Sequence, residues 1–345
     1  MIPHSRPTLD ADDAERVARV IRGGHIAQGA EVDAFERELA ARLGVAAAAA
    51  VSSGSAALEL ALRVLDVGPG TDVLVPSYAC DALHHCVTRG GATPILVDAD
   101  PTTLSLSADD AKRRLTDRTR AVVVHHAFGL GVDLDAFAAL GVPVVEDCAQ
   151  ALGAIVAGQG VGARGRVAVG SFYATKMLTT GEGGVLAGPA DLVARARDLR
   201  DYDERPDLVP RFNCKMTDMQ AALGRGQLAR LDGFIARRRA IAGRYREKLV
   251  GAPCHLPPAA GARHVFHRFV VQVDVPVEAV IARMAAAGVA ARRPVFRPLH
   301  RALGLAGYPE AERLWATCLS LPCYPSLTDA DVDAVAAAFR RAVTS

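Results

Sequence analysis

Two kinds of apolar pattern alternate along the chain. Residues 10–22 and 30–43 carry apolar side chains at helical spacing and end near glycines, which predicts two opening helices. Beyond them, short β-branched runs are each followed by a helical stretch. Because these runs are nearly continuous in apolar residues, they are typical of strands buried on both faces of a parallel α/β sheet. The predicted strands are DVLVP (72–76), PILVD (94–98), AVVVHH (121–126), PVVED (143–147), VAVGSFY (167–173) and GVLAG (184–188).

The pattern changes in the last third of the chain. Residues 217–249 are rich in Ala, Leu and Arg and predict one extended helix, and the Pro- and Gly-rich segment 251–262 predicts a loop. A strand at FHRFVVQVDV, a helix near 277–287 and a terminal helix from 328 follow. We therefore expect a large α/β domain over residues 1–240 and a smaller α+β domain over residues 241–345.

Composition narrows the class of protein. The 345 residues are 50% hydrophobic, and 40 basic residues against 38 acidic ones give a formal net charge of +2, so no strong field attracts nucleic acid or an anionic membrane. The chain shows neither a signal core near its start nor an uninterrupted apolar stretch of membrane-spanning length. Seven scattered cysteines, an odd number without C-x-x-C spacing, argue against a disulfide framework and favour the cytoplasm.

Two strand ends carry polar residues suited to a ligand. In VSSGSAALELAL (51–62) a helix begins directly after Ser-Ser-Gly-Ser, which presents backbone amides to a phosphate or simply caps the helix. In VVEDCAQ (144–150) a strand ends at Asp147, at the position where ligands of open α/β sheets lie, although a carboxylate there can also cap a helix.

A third segment supplies an amine. In GSFYATKMLTTGEGG (170–184) a strand ends at Ser171, and Lys176 follows between apolar residues and a glycine-rich loop. Most lysines are solvated surface charges, but partial burial lowers the pKa of an amine and makes it nucleophilic. A phosphate cradle, an acid for a ring nitrogen and an amine for an aldehyde are the three groups that pyridoxal 5'-phosphate requires.

The motifs closely resemble those of the DegT/StrS-like (DegT/DnrJ/StrS) sugar aminotransferase family. In chain order they are SRPTL, GHIAQGAEVDAFE, VSSGSAAL, HHAFG, EDCAQALGA, SFYATKMLTTGEGG, FNCKMTDMQAALGRGQL, PLH and LSLPCYP, which span nearly the whole sequence. The resemblance implies an aspartate-aminotransferase-like fold (fold type I) with a mostly parallel central sheet. It also implies amino transfer, with pyridoxal phosphate as cofactor, from an amino acid such as glutamate or glutamine to a keto-sugar that is nucleotide-linked.

The resemblance also implies roles at single positions. Lys176 falls on the lysine that forms an imine with the cofactor, Asp147 on the acid that pairs with the pyridine nitrogen, and Gln150 on the glutamine beside the ring. The segment PSYACDAL departs from the family, because Cys80 stands where an aromatic residue usually stacks on the ring. Either Cys80 covers the ring or Tyr78 has taken over that place.

The phosphate is expected to be held by two chains. Gly54, Ser55 and Ser171 fall on the family's phosphate cradle, and Asn213 falls on the asparagine that reaches the phosphate of the neighbouring subunit. The resemblance therefore implies a homodimer with shared active sites.

Substrate contacts are sought in two further segments. His126 matches the histidine of a family motif in which Phe128 replaces the usual tyrosine, and Arg293 and His300 lie in RRPVFRPLH, where the small domain is expected to close over the site. Adjacent histidine pairs without an acidic cluster do not indicate a metal, and we expect none.

Three alternatives remain open. Family members that remove a sugar hydroxyl carry histidine in place of the lysine, so Lys176 argues against that reaction. The altered ring-stacking segment keeps a cyclitol or non-sugar ketone as a second substrate class. A non-enzymatic regulator that retains the fold is the third, although such a protein would be expected to have lost the lysine or the acid.

Overall fold

Seven strands in the first part of the chain form one sheet, and six of them coincide with the predicted apolar runs. The structure is a computed structural model that describes residues 1–344. Its elements up to residue 200 are α1 (Ala11–Gly23), α2 (Ala30–Leu43), β1 (Ala47–Val51), α3 (Gly54–Val64), β2 (Asp72–Pro76), α4 (Ala82–Arg89), β3 (Thr93–Val97), α5 (Ala108–Arg114), β4 (Thr119–His125), α6 (Asp135–Ala138), β5 (Val144–Asp147), β6 (Ile155–Val156), β7 (Gln159–Gly160), β8 (Val167–Ser171), β9 (Gly184–Gly188) and α7 (Ala190–Arg200).

The sheet has the order β1-β9-β8-β5-β4-β2-β3. The strands β2, β3, β4, β5 and β8 run parallel to one another, and β9 alone is reversed, between β8 and β1. The predicted mostly parallel α/β sheet is therefore confirmed. Six strands share one direction, so their carboxyl ends meet at one edge, which is where ligands of such sheets bind.

Both faces of this sheet are covered, which explains the continuous apolar runs. Along β8, Val167 and Val169 pack into the hydrophobic cluster that contains α3 and α7, whereas Ala168 packs into the cluster that contains α2. A strand that alternates between two buried faces has no polar face to show in its sequence.

The last third of the chain continues with shorter elements. They are α8 (Asp218–Ala229), α9 (Leu231–Lys248), β10 (Cys254–His255), β11 (Phe269–Val273), α10 (Val277–Ala286), α11 (Leu299–Ala302), α12 (Pro309–Thr317), β12 (Cys318–Leu321) and α13 (Asp329–Thr344). The prediction of a single helix over 217–249 was wrong. The structure has two helices, α8 and α9, because the helix is interrupted at Arg230 (φ −99°, ψ 0°). The Arg230 side chain is ion-paired with Asp10 and Asp13, which ties the break to the start of α1.

A smaller unit forms around the antiparallel sheet β10-β11-β12. Its core joins β11 and β12 to α10, α13 and the second half of α9, beginning at Ile241. The proposed domain boundary at 240 thus falls inside a continuous helix and stays a prediction. The first residues of the chain also belong here, since the Ile2 N–H donates to the Gly288 carbonyl at 2.8 Å.

None of the helices within residues 1–344 has the combination of length and apolar character needed to cross a bilayer.

Candidate active site

The polar residues predicted from separate motifs meet at the carboxyl edge of the central sheet. β5 ends at Asp147 and its neighbour β8 ends at Ser171, while α3 begins at Gly54, three residues after β1. The short connections leave these side chains at the same edge. The sheet topology therefore brings together the acid, the serine and the helix start that the sequence placed far apart.

Lys176 lies in a tight turn held against the sheet. The Phe172 N–H donates to the Gly183 carbonyl at 2.8 Å, the Thr180 N–H donates to the Phe172 carbonyl at 2.9 Å, and Met177 and Leu178 beside the lysine are buried. Burial lowers the pKa of the Lys176 amine, while the nearby Cys80 and Asp147 act in the opposite direction and Arg268 adds to the lowering. The lysine is thus a half-buried amine beside an acid, not a solvated surface charge.

Asp147 has few partners of its own. Its Oδ1 accepts a hydrogen bond from the Ala149 N–H at 2.9 Å, and burial raises the pKa of the carboxyl, which the Ala149 N–H and Lys176 partly offset. A cation brought to its second oxygen would favour the charged carboxylate. Gln150 is fixed one turn away, where its Oε1 accepts from the Phe128 N–H at 2.8 Å.

The start of α3 forms a cradle with no room for additional side chains. The Ser53 Oγ caps the helix by accepting from the Ala56 N–H at 3.1 Å. A Cβ on Gly54 would lie 2.8 Å from the Cβ of Ser171, and one on Gly184 would lie 2.4 Å from the Ser53 carbonyl oxygen. The half-buried Ser55 follows in the first helical turn. Free amides at this helix start, backed by Ser171, suit a phosphate.

These residues fit pyridoxal phosphate. The cradle, Asp147 and Lys176 lie at one sheet edge, and the charges of Asp147 and Lys176 are close enough to shift one another's pKa. The structure therefore brings together the three groups that the cofactor needs at its phosphate, ring nitrogen and aldehyde.

Asn213 lies on the outside of this cradle. It is exposed, it bridges to Asp201, and the next residue, Cys214, accepts the Ser52 N–H at 2.8 Å. A contact of the exposed Asn213 side chain with a second chain stays a prediction.

Cys80 and Tyr78 have very different surroundings. Cys80 is exposed on the wall of a cavity of about 180 Å³ that Asp147 and Gln150 also line. Tyr78 is 1% exposed, its ring packs edge-on to Phe128 at 6.3 Å, and its hydroxyl points to the Leu314 carbonyl at 3.4 Å. Of the two residues, Cys80 has the position suited to covering the ring, so we keep it as the prediction.

His126 lies beneath the site, and both of its ring nitrogens are engaged. Its Nδ1 accepts from the Val132 N–H at 2.9 Å, so Nε2 carries the proton and donates to Glu146 at 2.9 Å. Glu146 in turn accepts the Arg164 and Gly165 N–H groups. The predicted substrate contact by His126 has no ring nitrogen left to make it, and the ring instead supports the strand end that carries Asp147.

His300 is likewise held inside the protein. It is 1% exposed, its Nδ1 lies 2.6 Å from the Ser77 Oγ, and its Nε2 lies 2.7 Å from Glu312. The predicted substrate contact by His300 is therefore not made in this conformation, and the histidine instead connects α11 and α12 to the end of β2.

Arg293 lines a second, larger cavity of about 1110 Å³. Its guanidinium is ion-paired with Glu278 and stacks over Trp315 at 4.0 Å, and its Nη1 has no hydrogen-bond partner among the described residues. Tyr173 and Thr175, just before Lys176, line the same cavity. The substrate position predicted for Arg293 stays a prediction that its location favours.

The sequence analysis missed several residues of this cavity. Trp315, Arg268 and His4 all line it, although they come from α12, the start of β11 and the first residues of the chain. One signal was available, since Arg268 interrupts the apolar run that continues as Phe269–Val273. A charged side chain within such a run is rare without a partner or a task.

A group of metal-binding residue types was also not predicted. Ligand atoms of His126, Glu146 and Cys148 lie within 4.8 Å of one another in the described chain. Both His126 nitrogens and both Glu146 oxygens already make hydrogen bonds within the protein.

Comparison with known proteins agrees with this geometry. The model of the DegT/DnrJ/EryC1/StrS aminotransferase family matches residues 7–340. The chain is 35% identical over 340 residues to UDP-N-acetyl-3-dehydro-alpha-D-glucosamine 3-aminotransferase of Acidithiobacillus ferrooxidans, covering 94% of this chain and 92% of that one. It is 36% identical over 355 residues to GDP-perosamine synthase of Caulobacter vibrioides, covering 96% and 95%.

Solved structures of sugar aminotransferases also match this fold. The fold superposes with a TM-score of 0.95 on the PMP form of the sugar aminotransferase candidate Spr1654 from Streptococcus pneumoniae, at 26% identity and covering 100% of this chain and 99% of that one. The PLP form of the same protein matches with a TM-score of 0.94, at 27% identity and covering 99% and 98%. The chain therefore belongs to the DegT/DnrJ/EryC1/StrS aminotransferase family and is a pyridoxal-phosphate-dependent aminotransferase.

Proposed function

We propose that this enzyme transfers the amino group of glutamate or glutamine to a keto-sugar carried on a nucleoside diphosphate. The donor becomes a 2-oxo acid and the ketone becomes an amine. Two relatives named for UDP- and GDP-linked sugars support the substrate class. The observation that carries the proposal is the large cavity beside the Lys176 turn, whose lining combines guanidinium groups with aromatic rings.

The arginines of this cavity suit phosphate groups. Arg292 and Arg297 are both exposed on its wall, and neither has an ion-pair partner within residues 1–344. A guanidinium binds phosphate oxygens through two parallel hydrogen bonds, which makes arginine well suited to a diphosphate. Arg297 also lines the smaller cavity above Asp147, so it stands where the two spaces join.

The aromatic residues suit the base. Phe296 is 90% exposed and Tyr173 is 48% exposed, and both lie on the cavity wall with Trp315. Exposed rings of this size are uncommon on a protein surface without a binding role, and flat rings stack well on a nucleobase. A free sugar or a cyclitol would leave most of this surface uncovered.

The chain's own residues then have defined tasks. When bound, pyridoxal phosphate supplies an aldehyde that accepts the amino group and a ring that accepts an electron pair. Asp147 would hold a proton at the ring nitrogen, and Lys176 would take and return the proton at the reacting carbon. The start of α3 and Ser171 hold the phosphate, and the Cys80 side chain covers the ring.

A substrate panel tests the proposal. Enzyme carrying the amine form of the cofactor is mixed with UDP- and GDP-linked keto-sugars, the matching free keto-sugars and cyclitol ketones, and aminated product is identified by mass. We expect nucleotide-linked ketones to react at least about a hundredfold more efficiently than free ones, since two or more charge-assisted contacts are lost without the phosphates. A cyclitol ketone that reacts faster than every nucleotide-linked ketone would contradict the proposal.

A pair of variants locates the phosphate site. Arg297→Gln should raise KM for the nucleotide-linked ketone and leave the free ketone unaffected, because only the former carries phosphates. Arg120→Gln removes an exposed arginine at the start of β4 and is the matched control. Equal losses for both ketones would place Arg297 outside the phosphate site.

We also propose a homodimer with shared active sites, in which Asn213 binds the phosphate held by the second chain. Its exposure, together with exposed Tyr202, Leu208 and Val209 on the preceding segment, supports a covered surface there. Mixing Lys176→Ala and Asn213→Ala chains should restore about a quarter of wild-type activity, since random pairing gives half heterodimers with one intact site each. If Asn213 served its own chain, no mixture would regain activity.

A cytoplasmic location completes the proposal, and the seven unpaired cysteines support it.

A further inference from the structure

Arg268 occupies an unusual place for a charged side chain. Its backbone N–H donates to the Phe128 carbonyl at 3.1 Å, and His267 and Phe269 on either side are buried. Arg268 lines the large cavity. Within residues 1–344 its one side-chain hydrogen bond joins Nη1 to the Nε2 of His4 at 3.3 Å.

Within the part of the chain that the structure describes, no acid forms an ion pair with the Arg268 guanidinium. The charged or titratable groups that face it are Arg238, Arg292, His4, His267, Lys176 and Tyr78. Burial, with help from Arg292 and Arg238, lowers the pKa of Arg268 to about 10, so the group remains charged at neutral pH. Enclosing a cation among other cations is unfavourable unless an anion arrives from outside.

His4 adds no charge of its own. Burial and the neighbouring guanidinium groups of Arg268 and Arg292 lower its pKa to about 3, so the ring is neutral and can accept a hydrogen bond from Arg268. The Ser320 Oγ lies 2.9 Å from the same His4 nitrogen. These contacts fix one side of the guanidinium and leave its remaining N–H groups for a ligand in the cavity.

The position of Arg268 favours the carboxylate of an amino acid over a diphosphate as its anionic partner. Arg268 is half-buried and shares the cavity wall with Tyr173 and Thr175, just before Lys176, and its charge helps to lower the pKa of the Lys176 amine. Arg292 and Arg297 on the same wall are exposed. An amino acid places its carboxylate two bonds from the nitrogen that must take the place of the Lys176 amine. The diphosphate of a nucleotide-linked sugar is separated from the reacting ketone by the sugar ring and lies farther out.

We infer that Arg268 binds the α-carboxylate of the amino donor and so positions its amino group for transfer. The inference rests on the proposed function, because it assumes an amino acid as donor. In the second half of the reaction the same guanidinium faces a neutral sugar ring and donates hydrogen bonds to its hydroxyls. A neutral acceptor depends less on the positive charge than the carboxylate does.

The test compares glutamate with its 1-amide, which lacks only the α-carboxylate charge. With cofactor-loaded wild-type enzyme, the first half-reaction should favour glutamate by about ten- to a hundredfold in apparent affinity, which is the usual range for one charge-assisted contact. In Arg268→Gln that preference should fall to about one, because the group that distinguishes the two donors is gone. A merely structural role would weaken both donors equally and leave the preference intact.

A binding measurement provides a second readout. Glutarate, an unreactive dicarboxylate, should bind the wild type and lose about tenfold or more in Arg268→Gln, with Arg268→Lys intermediate and Arg120→Gln unchanged. Should Arg268→Gln fail to fold, the preference for glutamate over its 1-amide is measured in Arg268→Lys, where we expect a smaller loss. An unaltered glutamate preference in either folded variant would overturn the inference.

The outcome separates the inference from the proposed function. Wild-type enzyme that reacts with glutamate but aminates no nucleotide-linked ketone would refute the sugar substrate and leave the role of Arg268 standing. Normal amination of such a ketone by a variant with intact donor preference would refute Arg268 alone.

Discussion

The cofactor end of the active site is made from segments that directly follow strands of one sheet, whereas residues from several distant parts of the chain line the large cavity beside it. Asp147 and Ser171 each close a strand, and the cradle begins three residues after another. The cavity takes His4 from the N-terminus, Tyr173 from the lysine turn and Arg268 from the small unit. The cofactor end therefore depends on the central sheet alone. The large cavity depends on how the smaller unit packs against that sheet.

The two ends also differ in charge. At the cofactor end, burial raises the pKa of the Asp147 carboxyl and lowers the pKa of the Lys176 amine. The cavity end holds several guanidinium groups and exposed rings, which bind charged or flat ligands of various shapes. We therefore expect single substitutions at the cofactor end to reduce the rate of transamination. Substitutions in the large cavity should instead alter which substrates are accepted.

The largest expected effect is at Lys176. Lys176→Ala should abolish the covalent bond to the cofactor aldehyde, remove the visible absorbance band of that bond and reduce transamination below detection. Borohydride reduction followed by mass measurement should add the cofactor mass to the wild type and to Lys112→Ala, which removes an exposed lysine of α5. A cofactor adduct on the Lys176→Ala chain would refute the assignment.

Asp147→Asn should have the second-largest effect on the reaction rate. The amide cannot stabilise a proton on the ring nitrogen, so removal of the donor's α-proton should slow by about 10²–10⁴ while the cofactor stays bound. The rate of α-proton exchange with deuterated solvent measures this step directly. Asp133→Asn changes an exposed acid paired with Arg164 and should exchange normally. Exchange in Asp147→Asn within a few fold of the wild type would contradict the role.

Gly54→Ala tests the closed cradle. The added Cβ would meet the Cβ of Ser171 at 2.8 Å, so either the helix start or the strand end must shift. We expect the dissociation constant of the cofactor phosphate to rise roughly tenfold, in line with the cost of overpacking. Gly23→Ala is the matched control, because nothing lies within 4 Å of its Cβ position. Similar cofactor affinities of the two variants would show that the cradle is more open than it looks.

The smallest effect separates Cys80 from Tyr78. Cys80→Ala should weaken cofactor binding by about two- to fivefold, because a polarizable sulfur beside the ring is lost. Tyr78→Phe should leave cofactor affinity unchanged, since the hydroxyl makes only a long contact of 3.4 Å with a backbone carbonyl. Equilibrium titration of both variants with the cofactor measures the difference, and a larger effect of Tyr78→Phe would reverse the assignment.

Some structural features lay beyond local reasoning. β1 has the sequence AAAAV, which favours a helix by propensity, yet it pairs with β9 over five residues. Burial of four of these five residues and pairing with β9 override the local preference of the alanines. At the break between α8 and α9, Arg230 likewise forms ion pairs with Asp10 and Asp13, more than 200 positions away.

The sequence by itself determined the strand positions, the mostly parallel sheet and the residues that end its strands, because apolar periodicity and the order of motifs are local properties. It did not determine the surroundings of His126 and His300, whose motif positions suggested substrate contacts. Only the tertiary structure decided that these histidines are enclosed and that Arg268 lines the large cavity without an ion-pair partner among residues 1–344. Hydrogen-bond partners and charge neighbours come from segments far apart in the chain, and no local pattern of residues specifies them.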